Sequence, residues 1–160
     1  YSDIPAISFT GVQNVPSATQ TRADSLTISL SFQDGNGDLG LESGDSLPPF
    51  GLFNGDGTEN EFFFNYFVTF EKKNQGKFEL VTLPNTDIPV SLNGRFPPLN
   101  TLGRNVTLEG DLHYSFLVFY GGNFSPIQAE DTLRFKIKIA DRTLNLSNEI
   151  QTSEVIIGKH

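Results

Sequence analysis

The chain contains no cysteine, methionine or tryptophan among its 160 residues. Without cysteine it can form neither a disulfide framework nor a thiolate metal site. No apolar run approaches the ~20 residues that a membrane-spanning helix needs, so we expect no transmembrane segment. A chain of this length can bury a hydrophobic core large enough to be stable without disulfide cross-links. We therefore expect residues 1–160 to form one β-sandwich domain, with residues 1–24 partly irregular.

Basic side chains are few and scattered. The chain carries 19 acidic and 11 basic residues, which gives a net charge of −8. Nucleic acids and anionic membrane surfaces are bound by clustered lysine and arginine. Since no such cluster occurs in this sequence, we expect neither of them as a partner.

Phenylalanine and glycine are abundant, with 15 of each. Aromatic residues favour strands and glycine favours turns, whereas no long segment shows the hydrophobic period of a helix. Leu26–Phe32 alternates strictly between apolar and polar residues, and so does Leu133–Ile139. Each of these two segments predicts a strand with one buried face.

Several weaker patterns complete the predicted set of strands. Val12–Asp24 and Pro84–Gly103 predict loops, because proline, glycine and small polar residues interrupt both segments. Further strands are predicted at Ile4–Phe9, Phe62–Phe70, Phe78–Leu83, Val106–Tyr120 and Ser153–Ile157. Val106–Tyr120 is either one bent strand or two short ones. Seven to eight strands joined by loops predict an all-β, immunoglobulin-like antiparallel β-sandwich.

A glycine-rich acidic segment, Asp34–Asp45, follows the Leu26–Phe32 strand. Ca²⁺ takes about six to eight oxygen ligands at roughly 2.4 Å. Glycines at positions 35, 37 and 40 allow the backbone to curl so that alternate side chains face one ion. The segment therefore predicts a structural calcium loop. The predicted ligands are Asp34, Asn36, Asp38, Glu42 and Asp45, at positions 1, 3, 5, 9 and 12 of a twelve-residue loop.

This loop differs from the helix-flanked calcium hand. Position 6 of that motif requires glycine, whereas this chain has Leu39 there. The segment also follows a strand rather than a helix. The alternative interpretation is a solvated turn, because aspartate, asparagine and glycine are common turn residues.

A second polar loop, at residues 141–148, is predicted to lie near the first. If Leu26–Phe32 is the second strand and Leu133–Ile139 the sixth, antiparallel order places their following loops at the same end. Asp141 would then add a metal ligand, and Asn145 or Asn148 could complete the site. Two full strands within Val106–Tyr120 would place the loops at opposite ends.

A separate cluster, Asn54-Gly-Asp56, has a similar composition on a smaller scale. Its side-chain oxygens predict a second, weaker cation site. An ordinary turn is the alternative interpretation, because these residue types favour turns without any ion.

Two motifs resemble a known family. Ser31–Gly40, followed by Pro48-Pro49, is similar to the start of small immunoglobulin-like surface lipoproteins of Bacteroidetes, whose acidic loop has the form D-G-[DN]-G-D-[IL]-G. Asp131–Asn148 resembles the penultimate strand of these proteins and the loop after it, and Phe70–Gly76 fits the same pattern. Asn36 stands where the family usually has aspartate.

The resemblance implies an immunoglobulin-like fold without an assigned activity. It also implies export to the outer membrane or cell surface of a Gram-negative bacterium, either lipid-anchored or secreted. The lipid anchor of the family is an N-terminal cysteine, which is missing from these residues.

Three classes of function compete. The favoured one is a non-enzymatic surface domain that contacts an unknown protein or glycan. The alternative is a calcium-dependent glycan-binding or adhesion module, for which Tyr114, Tyr120 and Phe124 are the candidate sugar contacts. An enzyme is the third, with His113 beside Asp111. Because no serine lies in a nucleophile-elbow pattern, we expect no enzymatic activity.

Overall fold

Eight strands form two antiparallel sheets in the computed structural model, which describes all 160 residues. The strands are β1 (Ala6–Pro16), β2 (Ala23–Asp34), β3 (Tyr66–Asn74), β4 (Lys77–Leu80), β5 (Leu108–Phe119), β6 (Thr132–Ile139), β7 (Ile150–Gln151) and β8 (Val155–Ile156). One sheet has the order β1-β2-β5, and the other has the order β4-β3-β6-β7 with β8 also paired to β6. No helix is long and apolar enough to cross a membrane.

The core lies between the two sheets. Alternate residues of β2 and β6 are buried, and Leu26, Ile28, Phe135 and Ile137 are fully enclosed. Each buried side chain of this size contributes about 1.5–3 kcal/mol relative to an exposed one. One hydrophobic cluster includes residues from both sheets. The prediction of an all-β antiparallel sandwich is therefore confirmed.

The aromatic segment at 62–70 differs from its prediction. Glu61–Phe63 forms a 3₁₀ turn, and β3 begins only at Tyr66. The turn is capped by Asn60, whose side-chain oxygen accepts a hydrogen bond from the Phe62 N–H. The predicted strand is thus wrong in its first half, because the polar cap before the phenylalanines turns the chain there.

The N-terminal segment is more regular than predicted. β1 continues to Pro16, so the predicted loop is wrong at Val12–Pro16, and it is wrong again at its last two residues, which begin β2. β1 pairs with β2 along its length through a bulge between Phe9 and Gly11. An edge strand tolerates polar residues on its outer face and a proline at its end, which is why composition alone indicated a loop.

The loops after β2 and β6 lie at the same end of the molecule. Leu108–Phe119 is one strand, so β2 and β6 are the second and sixth strands as the argument on chain direction required. A β-bridge joins Leu39, just after β2, to Asp141, just after β6. The two predicted polar loops are therefore in contact.

Candidate metal site

Three aspartates from these two loops form a cluster. Asp34 is the last residue of β2, Asp38 lies four residues later, and Asp141 lies just beyond β6. One carboxylate oxygen from each lies within 4.8 Å of the others. Asp34 and Asp141 are 0% and 3% exposed, and Asp38 is half-buried. We refer to these three residues as the acidic triad.

Glycines let the first loop curl beneath the crossover between β4 and β5. Gly37 has a φ of +70°, and a Cβ there would lie 2.0 Å from the carbonyl oxygen of Val106. Gly40 has a φ of +104°, and its Cβ would lie 2.3 Å from the carbonyl oxygen of Pro97. The Asn100 amide also donates to the Gly37 carbonyl at 3.1 Å. No other residue type fits at these two glycine positions without displacing the crossover.

The second loop fixes the orientation of Asp141. The backbone N–H of Asn145 donates to Oδ1 of Asp141, and the Asn145 amide donates to Oδ2, both at 2.8 Å. The Thr143 hydroxyl adds a bond to Oδ1 at 3.0 Å. Leu144 closes this tight turn with a φ of 68°, which is uncommon for a non-glycine residue. Asn145 therefore positions the Asp141 carboxylate.

The triad holds buried negative charge that lacks hydrogen-bond donors. Oδ2 of Asp34 accepts the Asp38 N–H at 3.0 Å. Oδ1 of Asp34 and Oδ1 of Asp38 are both buried and have no hydrogen-bond partner. Buried carboxylate oxygens without partners are costly and rare in native proteins. A cation between them would satisfy both oxygens.

The pKa values in the triad reflect the same imbalance. Burial raises the pKa of Asp34 above its ordinary value, against hydrogen bonds from the Asp38 and Gly37 N–H groups and with repulsion from Asp141. Burial, followed by repulsion from Asp141 and Asp34, raises the pKa of Asp38 to about 6. Both carboxyls are thus placed where their charged forms are disfavoured. The acidic triad can hold a metal ion, which would reverse this penalty.

The other predicted ligands of the first loop lie outside the triad. Oδ1 of Asn36 accepts the Asp38 N–H at 3.4 Å, and Glu42 is exposed. Asp45 forms a two-pronged ion pair with Arg142, at 2.7 and 3.3 Å. The hydrogen bond from the Arg142 side chain holds the pKa of Asp45 below its usual range. Asp45 therefore already has its counter-charge.

Two arginines hold the distal half of the acidic loop. Arg142 follows the triad residue Asp141 directly, and its backbone N–H donates to the Asp38 carbonyl at 3.3 Å. The Arg95 guanidinium donates to the carbonyls of Glu42 and Asp45, at 3.1 and 3.0 Å. Local spacing carries no signal that Asp45 pairs with an arginine 97 residues later in the chain, although such two-pronged pairs are strong.

Asn148 has a structural role in this fold. Its side-chain oxygen accepts the Ile7 N–H, and its amide donates to the Ile7 carbonyl, both at 2.9 Å. The side chain therefore imitates a strand neighbour for β1. Both of its polar atoms are engaged away from the acidic triad.

The predicted second site at Asn54 and Asp56 forms a self-contained turn. Oδ1 of Asp56 accepts both the backbone N–H and the hydroxyl of Thr58, at 3.0 and 2.6 Å. The Asn54 amide donates to the Thr58 hydroxyl at 3.0 Å. These bonds are typical of a turn that is stable without an ion. A second cation site here stays a prediction.

His113 makes one contact that local sequence patterns do not indicate. Its Nδ1 lies 2.7 Å from the Ser29 hydroxyl on the neighbouring strand β2. His113 is exposed, and the pair lies on the outer face of the three-stranded sheet. Asp111 lies two residues away on the same strand but forms no hydrogen bond with the His113 ring. The cross-strand register, which sequence spacing does not reveal, produces this pair.

The candidate sugar contacts separate into core and surface residues. The Tyr114 ring stacks on the buried Tyr66 ring, with centroids 4.2 Å apart and an angle of 22° between the planes. Tyr120 also packs against the hydrophobic core. Phe124 is 90% exposed. Of these three candidates, only Phe124 presents a largely free aromatic face to solvent.

A polar cleft of about 400 Å³ lies beside the triad. Asp38 lines it together with Glu42, Arg104, Asn105 and Arg142, and no aromatic side chain contributes. The protein is thus defined by two packed antiparallel sheets with an acidic triad at one end. Comparisons with protein-family models, curated proteins and solved structures found no match.

Proposed function

We propose that Asp34, Asp38 and Asp141 bind one Ca²⁺ ion that stabilises the fold. The observation that carries this proposal is the pair of buried, partnerless carboxylate oxygens within the triad. All three metal ligands are carboxylate oxygens, which favours a hard cation over zinc or copper. Ca²⁺ also accepts irregular geometry, whereas Mg²⁺ demands a near-ideal octahedron.

The role of the ion is structural because of where its ligands originate. Asp34 ends β2 of one sheet and Asp38 lies just after it, whereas Asp141 follows β6 of the other sheet. An ion between them links the two sheets at this end of the sandwich. It also neutralises three carboxylates that otherwise repel one another.

We propose that the whole protein is a non-enzymatic, immunoglobulin-like domain exported to a bacterial cell surface. The two-sheet architecture and the Bacteroidetes-like motifs at Ser31–Gly40 and Asp131–Asn148 support this proposal. The lipoprotein-type anchor and the protein or glycan partner belong to the same proposal. His113 contacts Ser29 but has no carboxylate bonded to its ring to orient it, which also favours a binding role over hydrolysis.

A calcium-dependent glycan-binding or adhesion module is the second candidate. The polar cleft beside Asp38 favours it, since guanidinium and amide groups there can bond to sugar hydroxyls or carboxylates. Screening the protein on a glycan array with calcium and with chelator separates the two candidates. Reproducible hits that vanish on chelation and in an Arg104→Ala variant would favour the second.

Isothermal titration calorimetry tests the calcium site. We expect one Ca²⁺ to bind the wild-type protein, and we expect Asp34→Asn or Asp141→Asn to abolish the heat of binding. Asp45→Asn is the matched control because its carboxylate is already paired with Arg142. Absence of both a binding heat and a shift in melting temperature at millimolar calcium would refute the proposal.

A further inference from the structure

The outer edge of β5 has no strand beside it. β5 pairs with β2 from Leu108 opposite Asp34 to Phe119 opposite Ala23, without a register shift. It is the last strand of the β1-β2-β5 sheet, so its other edge carries no neighbour. A free edge of this length presents a row of backbone donors and acceptors that can add another strand.

The register shows which residues face the free edge. Along an antiparallel pair of strands, every second pair of opposite residues forms two backbone hydrogen bonds, and the pairs in between form none. The N–H and C=O groups of the non-bonded residues point to the other side of their strand. The Tyr120 N–H donates to the Arg22 carbonyl at 2.9 Å, one pair beyond the β2–β5 ladder. Even-numbered residues of β5 therefore bond to β2. Odd-numbered residues, from Glu109 to Phe119, direct their N–H and C=O groups outward.

Hydrogen bonds on the other side of β2 give the same result. The Ser17 N–H donates to the Ala23 carbonyl, so odd-numbered residues of β2 bond towards β1 and even-numbered ones towards β5. None of the backbone bonds outside the strand ladders involves an odd-numbered residue of β5. These outward groups are unpaired within the chain.

The other sheet edges are blocked. Asn148 occupies both backbone groups of Ile7 on β1, which also contains a bulge and ends in Pro16. β4 has four residues, and β7 and β8 have two each. Isolated bridges to Gly94 and Ser91 cover part of the free side of β3. Such short, bulged or covered edges prevent unwanted pairing.

β5 is longer and more regular than these other edges. It is 12 residues long and contains no proline, lysine, arginine or bulge. Its inward-facing row also includes two aromatic rings, of Tyr114 and Phe116, which remain half-buried. The edge is therefore open in its backbone and incompletely covered in its side chains.

We propose that the β5 edge pairs antiparallel with the β5 edge of a second copy of this chain, around a twofold axis at Tyr114. This register uses every outward-facing residue of the strand. It places Glu109 opposite Phe119, Asp111 opposite Leu117 and His113 opposite Ser115 of the other copy. The two three-stranded sheets then form one continuous sheet of six strands.

Charge disfavours parallel pairing of the two β5 strands, and packing favours the antiparallel register centred on Tyr114. No carboxylate faces another carboxylate, whereas parallel pairing in register sets Glu109 and Asp111 against their own copies. The two Tyr114 residues form a non-hydrogen-bonded pair, in which side chains approach most closely. Their half-exposed rings are covered by the same symmetric contact, as a twofold interface requires.

Sedimentation over a concentration series tests the pairing. We expect the wild-type protein to be a reversible dimer. Ser115→Pro removes an outward N–H that does not bond to β2, so it should raise the dimer dissociation constant at least tenfold. Ser115→Ala is the matched control, because both variants lose the 2.7 Å contact with the Thr27 hydroxyl but alanine keeps the N–H. Wild-type protein that stays monomeric, or equal dimerisation of the two variants, would overturn the proposal.

Cross-linking tests the register independently of stability. The chain has no native cysteine, so an introduced cysteine is the only thiol that can form a cross-link. The two copies of residue 113 lie diagonally across the proposed axis, and a short bismaleimide should join a His113→Cys dimer. The two copies of residue 109 lie about 34 Å apart along the seam, so Glu109→Cys should not cross-link. The reverse pattern, or no cross-link in either variant, would overturn the proposed register.

Discussion

Replacing Asp34 by asparagine should change the stability of this protein in opposite directions with and without calcium. The asparagine side chain would keep an oxygen for the hydrogen bond from the Asp38 N–H. Its new amide would place a hydrogen-bond donor inside a triad that has two partnerless carboxylate oxygens. The substitution would also remove one of three mutually repelling charges. In chelator we therefore expect the variant to be more stable than wild type, by about 1 kcal/mol.

Calcium should reverse this order. Calcium at a hundred times its dissociation constant stabilises the wild-type fold by about 2.7 kcal/mol. For a domain of this size each kcal/mol raises the melting temperature by about 2–4 °C, so the wild-type shift is about 5–11 °C. The Asp34→Asn variant has lost a ligand carboxylate and should show almost none of this shift.

Thermal unfolding followed by circular dichroism measures the melting temperatures of the wild type and of Asp34→Asn, each with calcium and with chelator. Asp56→Asn is the control, because it changes net charge equally in an exposed turn and keeps the acceptor for Thr58. It should respond to calcium as wild type does. If Asp34→Asn lowers the melting temperature in chelator, or if it retains the calcium shift, the interpretation of the triad as a cation site is refuted.

The same geometry leads to three further predictions. Asp45→Ala should cost about 1 kcal/mol in chemical denaturation, since its ion pair with Arg142 is partly exposed, and should leave calcium affinity within about threefold by calorimetry. Gly37→Ala should cost about 3 kcal/mol, because a left-handed backbone costs about 1–2 kcal/mol and the clash with the Val106 carbonyl adds to it. Gly55→Ala should be nearly neutral, because nothing lies within 4 Å of its Cβ. The chelated protein should gain stability as pH falls from about 7 to 5. This gain arises because the folded pKa of Asp38, about 6, exceeds its ordinary value of 3.8, so the native state binds more protons than the unfolded state in that window. Calcium-loaded protein, in which the ion holds Asp38 charged, should lack this gain, and an equal gain in both forms would contradict the assignment of Asp38.

The acidic loop combines two ways of balancing charge. In its first half, Asp34 and Asp38 each have one buried carboxylate oxygen without a hydrogen-bond partner. Its second half gives Asp45 a permanent partner in Arg142. Because Arg142 follows Asp141 in the chain, the acidic triad and the ion pair share one short segment after β6. Movement of that segment would disturb both.

Local patterns in the sequence determined much of this protein. The alternation in Leu26–Phe32 and Leu133–Ile139 predicted two strands that the structure contains within β2 and β6. Oxygen-bearing residues among glycines identified the loop that carries Asp34 and Asp38. These signals are reliable because an alternating strand or a glycine-rich turn depends on neighbours only a few residues away.

The tertiary structure decided which carboxylates meet. Asp141 joins the acidic triad because one strand, rather than two, lies between residues 106 and 120, a question that composition left open. Asp45 instead forms an ion pair with Arg142, although its position in the loop matched that of a metal ligand. Both outcomes depend on contacts between residues about a hundred positions apart, and such contacts are set by strand order and register, which spacing in a single sequence does not encode.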